Sequence, residues 1–244
     1  MRIAKPIEQQ HKQVWLYMLF RQCAAKMRSL SYVLGDPITR QGVIIDPTAD
    51  LVAQALSFLA ERKIALQYVL LTRFSDPALE DTLNKLRALG PRVVAHESTE
   101  YQGVDVRLRD NDIVHFGEET IRVLHTPGQM PCAVTYWWAD RLFTGETLLA
   151  TGPGTCGQGG NIAQQWRSIR EKLLRFPDEY LIFPGRESRK RRVACVAEFR
   201  LAFSNKSGVT TAPAVHEYSA QTQSDHAGQL DKTNNSSSSE MVGA

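Results

Sequence analysis

Histidine is scarce and unevenly placed in this chain: of 244 residues six are histidine, and none lies between His11 and His96. No imidazole is available anywhere in that span. Cysteine is equally sparse. Cys23, Cys132, Cys156 and Cys195 stand far apart with no CxxC and no Cys/His pairing, which argues against a disulfide framework and a zinc knuckle. Long apolar runs are missing as well. Nothing approaches the roughly 18 residues of a membrane span, and Val14 to Phe20 is too short and too poorly flanked for a secretion signal. A protein of the cytoplasm, with no membrane partner, is therefore expected. Charge of one sign is not concentrated overall, the formal net charge being +3, and nucleic acid is not expected as a partner. Large apolar residues are few from residue 204 onward, so residues 204–244 are expected to form a disordered polar tail that cannot offset its ordering entropy. Residues 1–17 are expected to be a polar, frayed extension.

What is present reads as alternating strands and helices. Ser29 to Gly35 and Gly42 to Asp46 are predicted strands separated by the turn signal Gly35-Asp36-Pro37. Thr48 to Arg62 places Leu51, Ala55, Leu56 and Leu59 at helical spacing. Ile64 to Leu71 is the next strand. Pro77 to Leu89 is a second amphipathic helix with Leu79, Leu83, Leu86 and Leu89 turned inward, ended by Gly90-Pro91. Strand, helix, strand argues a crossover onto a sheet with helices outside, whose strands deliver functional groups from their C-terminal ends. Arg92 to His96 is the next strand, and Val104 to Leu108, Asp112 to Phe116 and Thr120 to Leu124 continue as short strands at the spacing of a β-sandwich half. His96 and His115 are read as structural or exposed. Ile162 to Phe176 is a helix with Trp166, Ile169, Leu173 and Leu174 on one face, and Tyr180 to Phe183 a strand running into Pro184-Gly185-Arg186. Glu187 to Phe203 is the expected final helix, with Arg189-Lys190-Arg191-Arg192 as a solvated charge run near its start.

The chain is organised around Val123 to Leu149. Thr126-Pro127-Gly128 is a turn, since Pro127 fixes φ and Gly128 permits a left-handed conformation. Ala133 to Trp138, aromatic and β-branched, is a buried strand, and Ala139-Asp140-Arg141 turns it back into Leu142-Phe143-Thr144. Two strand ends thus present polar groups, Gln129 and Glu146, after glycine-permitted turns. The glycine-rich stretch Thr151 to Gly160 is of a kind that can cradle an anion, but it has no Lys and no GxGxxG after a strand, so a nucleotide is not expected there.

The segment HTPGQMPCAVTYWWADRLFTGETLL resembles HTPGHTPGSV(S/T)Y…DR(V/L)FTGDTLL of the metallo-β-lactamase fold, in the branch of persulfide dioxygenases and hydroxyacylglutathione hydrolases. With one shift in a glycine loop the resemblance runs from about Met18 to Phe203, and it implies a single αββα sandwich domain over residues 18–203, of class α/β, opened by a strand at Met18 to Gln22. It implies zinc or iron as cofactor, and here the sequence departs from the family. The second His of HTPGH reads Gln129, the Asp of FTGDT reads Glu146, and the His of PGH reads Arg186. Where the family holds THxHxDH this chain reads Thr72-Arg73-Phe74-Ser75-Asp76-Pro77-Ala78, so that Asp76 reaches a cation only with a one-residue shift. Imidazole and carboxylate are what zinc and iron need, and arginine has no lone pair to give. The resemblance therefore implies a site stripped of its metal ligands, with no cofactor.

His125 opens the HTPG turn without being the family's ligand and is read as a turn-organising group. The function expected is that of a non-catalytic relative of persulfide dioxygenases and thioester hydrolases with a binding or regulatory role, taking a small anionic or thiol ligand or a protein partner. Its degenerate site comprises Arg73, Ser75, Asp76, His125, Gln129, Glu146 and Arg186, with Arg73 or Arg186 paired to the Glu146 carboxylate. Two other readings stand beside it. One is a sulfur-transfer protein in which Cys132 or Cys156, favoured as thiolate by the arginines, carries a sulfane sulfur. The other is a metalloenzyme with the unusual ligands Asp76, Gln129 and Glu146.

Overall fold

The computed structural model describes residues 19–26, 28–74, 78–157 and 159–204. The extension and the tail expected at the two ends, and Ser75, Asp76 and Pro77, lie outside the described residues.

Two six-stranded sheets face each other. The first is built in chain order from β1 (Leu19–Ala24), β2 (Leu30–Asp36), β3 (Gln41–Ile45), β4 (Ala65–Leu70), β5 (Arg92–His96) and β6 (Val106–Leu108). Its first three strands are antiparallel, and β3 to β6 run parallel. The crossovers are α1 (Ala49–Glu61) after β3 and α2 (Ala78–Arg87) after β4. The second sheet combines β7 (Ile113–Phe116), β8 (Glu119–His125), β9 (Val134–Trp138), β10 (Arg141–Gly145), β13 (Leu181–Pro184) and β14 (Ala194–Cys195), in the order β14-β13-β10-β9-β8-β7. A small ribbon, β11 (Leu148–Leu149) with β12 (Gly152–Pro153), follows β10, and α3 (Ile162–Ser168) and α4 (Val196–Ser204) complete the chain.

The sheets pack through residues that alternate along each strand. Tyr32, Leu34, Val43, Ile45 and Leu70 of the first sheet meet Phe116, Val123, Tyr136, Trp138 and Phe143 of the second. The intervening positions face outward onto helices. Val33 and Ile44 pack on Leu51, Ala55 and Leu59 of α1, Val69 and Val93 on Leu83 and Leu86 of α2, and Leu124, Leu142 and Ile182 on Ile169, Leu173 and Phe199. Burying each such side chain contributes roughly 1.5–3 kcal/mol, which is why β2 is buried along its whole length. The layers are helix, sheet, sheet, helix, as the sequence led one to expect.

Four expectations are corrected. Leu89 is exposed because α2 ends at Arg87, two residues before it could turn inward. The helix expected from Ile162 to Phe176 is α-helical only to Ser168 and continues as a π turn over Ile169–Leu173, with Trp166 packed edge-on against Phe203. The strands grouped as one sandwich half divide: β6 closes the first sheet beside β5, and β7 and β8 begin the second. The last helix starts at Val196, not at Glu187, because Ala194 and Cys195 pair with β13. The basic run Arg189 to Arg192 thus lies in a turn and not on a helix face.

Gly128, with φ of +134°, lets the turn after β8 lie directly on α3: a Cβ there would fall 2.1 Å from the Gln165 backbone nitrogen. Backbone cannot yield as a flexible side chain does. Gly128→Ala is expected to lower stability by roughly 2 kcal/mol or more, read from the urea midpoint at unchanged m-value.

Candidate functional site

Parallel pairing brings strand C-termini to one edge of a sheet, and here four of them converge. Asp46 follows β3, Thr72 and Arg73 follow β4, Glu146 follows β10, and Arg186 follows β13. Two hydrogen bonds between the sheets hold this edge together, Val134 N–H donating to the Thr72 carbonyl at 2.8 Å and Leu30 N–H to the Gly185 carbonyl at 2.9 Å, while within the second sheet Gly185 N–H donates to the Gly145 carbonyl at 2.6 Å. Gly145 is left-handed, φ +54°, and a Cβ on it would meet the Thr72 hydroxyl at 2.3 Å. The result is a cleft of about 300 Å³ whose lining includes Ser29, Asp46, Thr48, Arg73, Glu146 and Arg186.

One carboxylate oxygen is shared by two guanidinium groups. Arg73 Nη2 lies 2.8 Å and Arg186 Nη2 3.3 Å from Glu146 Oε1. The pairing expected with either arginine is present with both. Glu146 is the more buried partner, its side chain 16% exposed against 55% for Arg186, so both cations reach inward to a fixed anion.

Asp46 was read in the sequence only as the end of a strand, and its part in the site was missed. Its two carboxylate oxygens accept from Thr72, the backbone N–H at 2.7 Å and the hydroxyl at 2.6 Å. Burial pushes its pKa up to about 6, against the lowering by the two Thr72 bonds and the Arg73 charge, and the Glu146 charge adds to the rise. The signal in the sequence was the pair of polar residues, Asp46 and Thr72, ending two strands predicted to be neighbours.

Gln129, His125, Cys132 and Cys156 are not among the residues that line the cleft. The Gln129 side chain is buried, donating from Nε2 to the Thr155 carbonyl at 3.3 Å, and its Oε1 has no hydrogen-bond partner among the described residues. His125 spans its own turn, Nε2 to the Pro131 carbonyl at 2.8 Å, and its ring stacks on His96 at 3.9 Å between centroids. Burial, then the His125 charge, hold the His96 imidazolium below its ordinary range. Cys132 is buried. The Cys156 thiol donates to the Gln165 Oε1 at 3.1 Å and the Gly128 carbonyl at 3.4 Å, the environment of a structural cysteine. Ser75 and Asp76 are outside the described residues.

The described residues do not fit zinc or iron. Both arginines point their nitrogens at Glu146 Oε1, placing two permanent cations where a metal ion would have to bind, and Gln129 offers only a neutral amide. No group of three or more His, Cys, Asp or Glu side chains that could hold a metal ion occurs among the described residues.

Comparison with known proteins places this arrangement in a family. No protein-family model matches the chain. Hydroxyacylglutathione hydrolase of Cereibacter sphaeroides is 30% identical over 201 residues, 75% of this chain and 77% of that protein. The human mitochondrial persulfide dioxygenase ETHE1 is 28% identical over 176 residues, 70% of this chain and 69% of that protein. The crystal structure of ETHE1 from Myxococcus xanthus superposes with a TM-score of 0.70 at 33% identity, covering 75% of this chain and 82% of that one. Solved metallo-β-lactamases share the fold. The chain belongs to the family of persulfide dioxygenases and hydroxyacylglutathione hydrolases and has the metallo-β-lactamase fold.

An aspartate whose folded pKa is raised binds its proton more tightly in the native than in the unfolded chain, so it lowers stability as pH rises between the two values. The window runs from the ordinary 3.8 to about 6. Asp46→Asn is expected to remove on the order of 1–2 kcal/mol of stability change between pH 4 and pH 6.5. Urea melts of both proteins across that range check it, and equal slopes would show that Asp46 titrates normally.

Proposed function

We propose that this chain is a non-catalytic member of its family, a cytoplasmic binding protein whose cleft takes a small anionic or thiol-bearing ligand. The observation that carries this reading is the double clamp of Arg73 and Arg186 on Glu146 Oε1. Guanidinium groups are permanent cations with donors and no lone pair. They suit the carboxylate, phosphate or sulfur-oxyacid part of a ligand and oppose a metal ion.

Two arginines against Glu146 alone would leave one positive charge. Asp46, 26 residues before Thr72 in the chain, changes that balance. Ionised, it brings the four charges to zero; protonated, it leaves the cleft one charge positive. The binding surface has further donors. Thr48 begins α1 without capping it, and its buried Oγ1 has no partner among the described residues, while the first turn of α1 opens on the same cleft at Ala49 and favours an anion.

The sulfur-transfer reading has less support, because Cys132 is buried and Cys156 is engaged as a donor. The metalloenzyme reading needs Asp76 together with Gln129 and Glu146, and it has less support because Arg73 and Arg186 both hold Glu146 Oε1.

Two measurements test the proposal. The melting temperature in strong chelator should equal that in excess zinc, iron or manganese, and Gln129→His should leave this unchanged, since one imidazole and Glu146 are too few ligands. A rise with substoichiometric metal that chelator reverses would return the chain to the metalloenzymes. Calorimetry with sulfate, which keeps its charge across the range, should show binding about fivefold tighter at pH 5 than at pH 7.5, as Asp46 gains its proton. No binding at either pH would remove the anion site.

A further inference from the structure

The basic residues beside the cleft were expected on a helix, and their actual placement suggests what kind of anion the cleft takes. Arg28 and Arg186 lie on strand ends stitched to each other: Ser29 bridges Arg186, Leu30 N–H donates to the Gly185 carbonyl at 2.9 Å, and Glu187 N–H donates to the Arg28 carbonyl at 2.7 Å. Immediately beyond, Ser188 and Arg191 close a two-residue turn by exchanging backbone hydrogen bonds of 3.0 and 2.8 Å. The two residues at its tip are Arg189, φ +48°, and Lys190, φ +64°.

A turn with both central residues left-handed favours Asn-Gly, not two long cationic side chains. Arg28 is left-handed too, φ +67°. The flanking arginines are neutralised locally, Arg191 by Glu198 at 2.6 Å and Arg192 by Glu187 at 2.5 Å. Arg28, Arg189 and Lys190 are exposed and form no ion pair among the described residues. The Ser188 hydroxyl, 2.5 Å from that of Thr151, ties the turn to the chain that follows β11.

We infer that Arg28, Arg189 and Lys190 form a second cationic subsite on the lip of the cleft, so that the ligand is a small molecule carrying two linked phosphate groups. One group would lie against Arg186 and the first turn of α1, the other on the lip. Above pH 6 the floor charges of Arg73, Arg186, Glu146 and Asp46 cancel, so the lip supplies the excess positive charge that holds a multiply charged ligand. This rests on the anion-binding reading of the cleft and narrows it to a ligand class.

The experiment is calorimetry on the full chain at pH 7.5 and low salt with sulfate, inorganic pyrophosphate and ADP. Pyrophosphate should bind about tenfold more tightly than sulfate, as expected when a second charged group finds its own cations. In the double variant Arg189→Glu/Lys190→Glu that advantage should vanish, with sulfate affinity falling far less than pyrophosphate affinity and the melting temperature unchanged. Arg28→Glu should act in the same direction, because its backbone carbonyl and not its side chain holds Glu187. ADP binding as tightly as pyrophosphate would make a nucleotide diphosphate the source, and weaker ADP binding an unsubstituted one; either supports the subsite. Sulfate binding with no pyrophosphate advantage, or an advantage that survives charge reversal, overturns the subsite alone. No binding of any anion overturns the cleft reading and this one with it. A single-stranded RNA oligonucleotide that binds more tightly than pyrophosphate and is lost in the same variants would show a nucleic-acid surface instead.

Discussion

The directed hydrogen bonds between the two sheets are the constraint from which the site follows. Apolar packing across the core is non-directional and would tolerate small slippage of one sheet over the other. The bond from Val134 N–H to the Thr72 carbonyl and that from the Tyr136 hydroxyl to the Leu71 carbonyl, at 2.8 and 2.9 Å, do not. They fix the end of β4 against β9, and Leu30 fixes the end of β13 against β2. Only with that edge pinned can Arg73, from the first sheet, meet Glu146, from the second, within hydrogen-bond distance.

The pairing itself is an exchange of one electrostatic solution for another. A half-buried carboxylate needs positive charge or several donors beside it. The resemblance implies that relatives with histidines at these strand ends meet that need with a metal ion. In this chain Arg73 and Arg186 meet it from within, so the charge balance around Glu146 is complete once the chain has folded. Thr72 does the same for Asp46 with two neutral donors, which is the weaker arrangement and leaves that carboxylate titrating near the middle of the ordinary pH range.

The layered fold was legible in the sequence because it depends on local periodicity. Leu51, Ala55 and Leu59 at helical spacing and the continuous apolar run of β2 each name their own burial without reference to distant residues. The Glu146 pairing was legible because the resemblance puts Arg73, Glu146 and Arg186 at positions that converge on one site in the family. What was not legible depended on contacts far apart in the chain. The two-residue β14 is a strand only because β13 is beside it, and the residues before it carry charge that a helix would have accepted equally well. His96 and His125 each read as a solitary histidine, and only the packing of two separate strand ends stacks their rings. Asp46 was visible as a residue and invisible as a participant, since its role comes from Thr72.

The chain that follows Glu146 is held by neutral amides. Gln165, fully buried, donates to the carbonyls of Thr147 and Gly154 at 3.0 and 2.9 Å, and Gln129 reaches Thr155 from the other side. Gly154 lies so close to the Glu146 carbonyl that a Cβ would fall 2.0 Å from it. None of these bonds involves an ionisable group, so neither acid nor salt loosens them. Shape and charge are thereby separated around Glu146: the chain that follows it is held by amide bonds that carry no titratable group, while the charge of the cleft depends on whether Asp46 holds a proton.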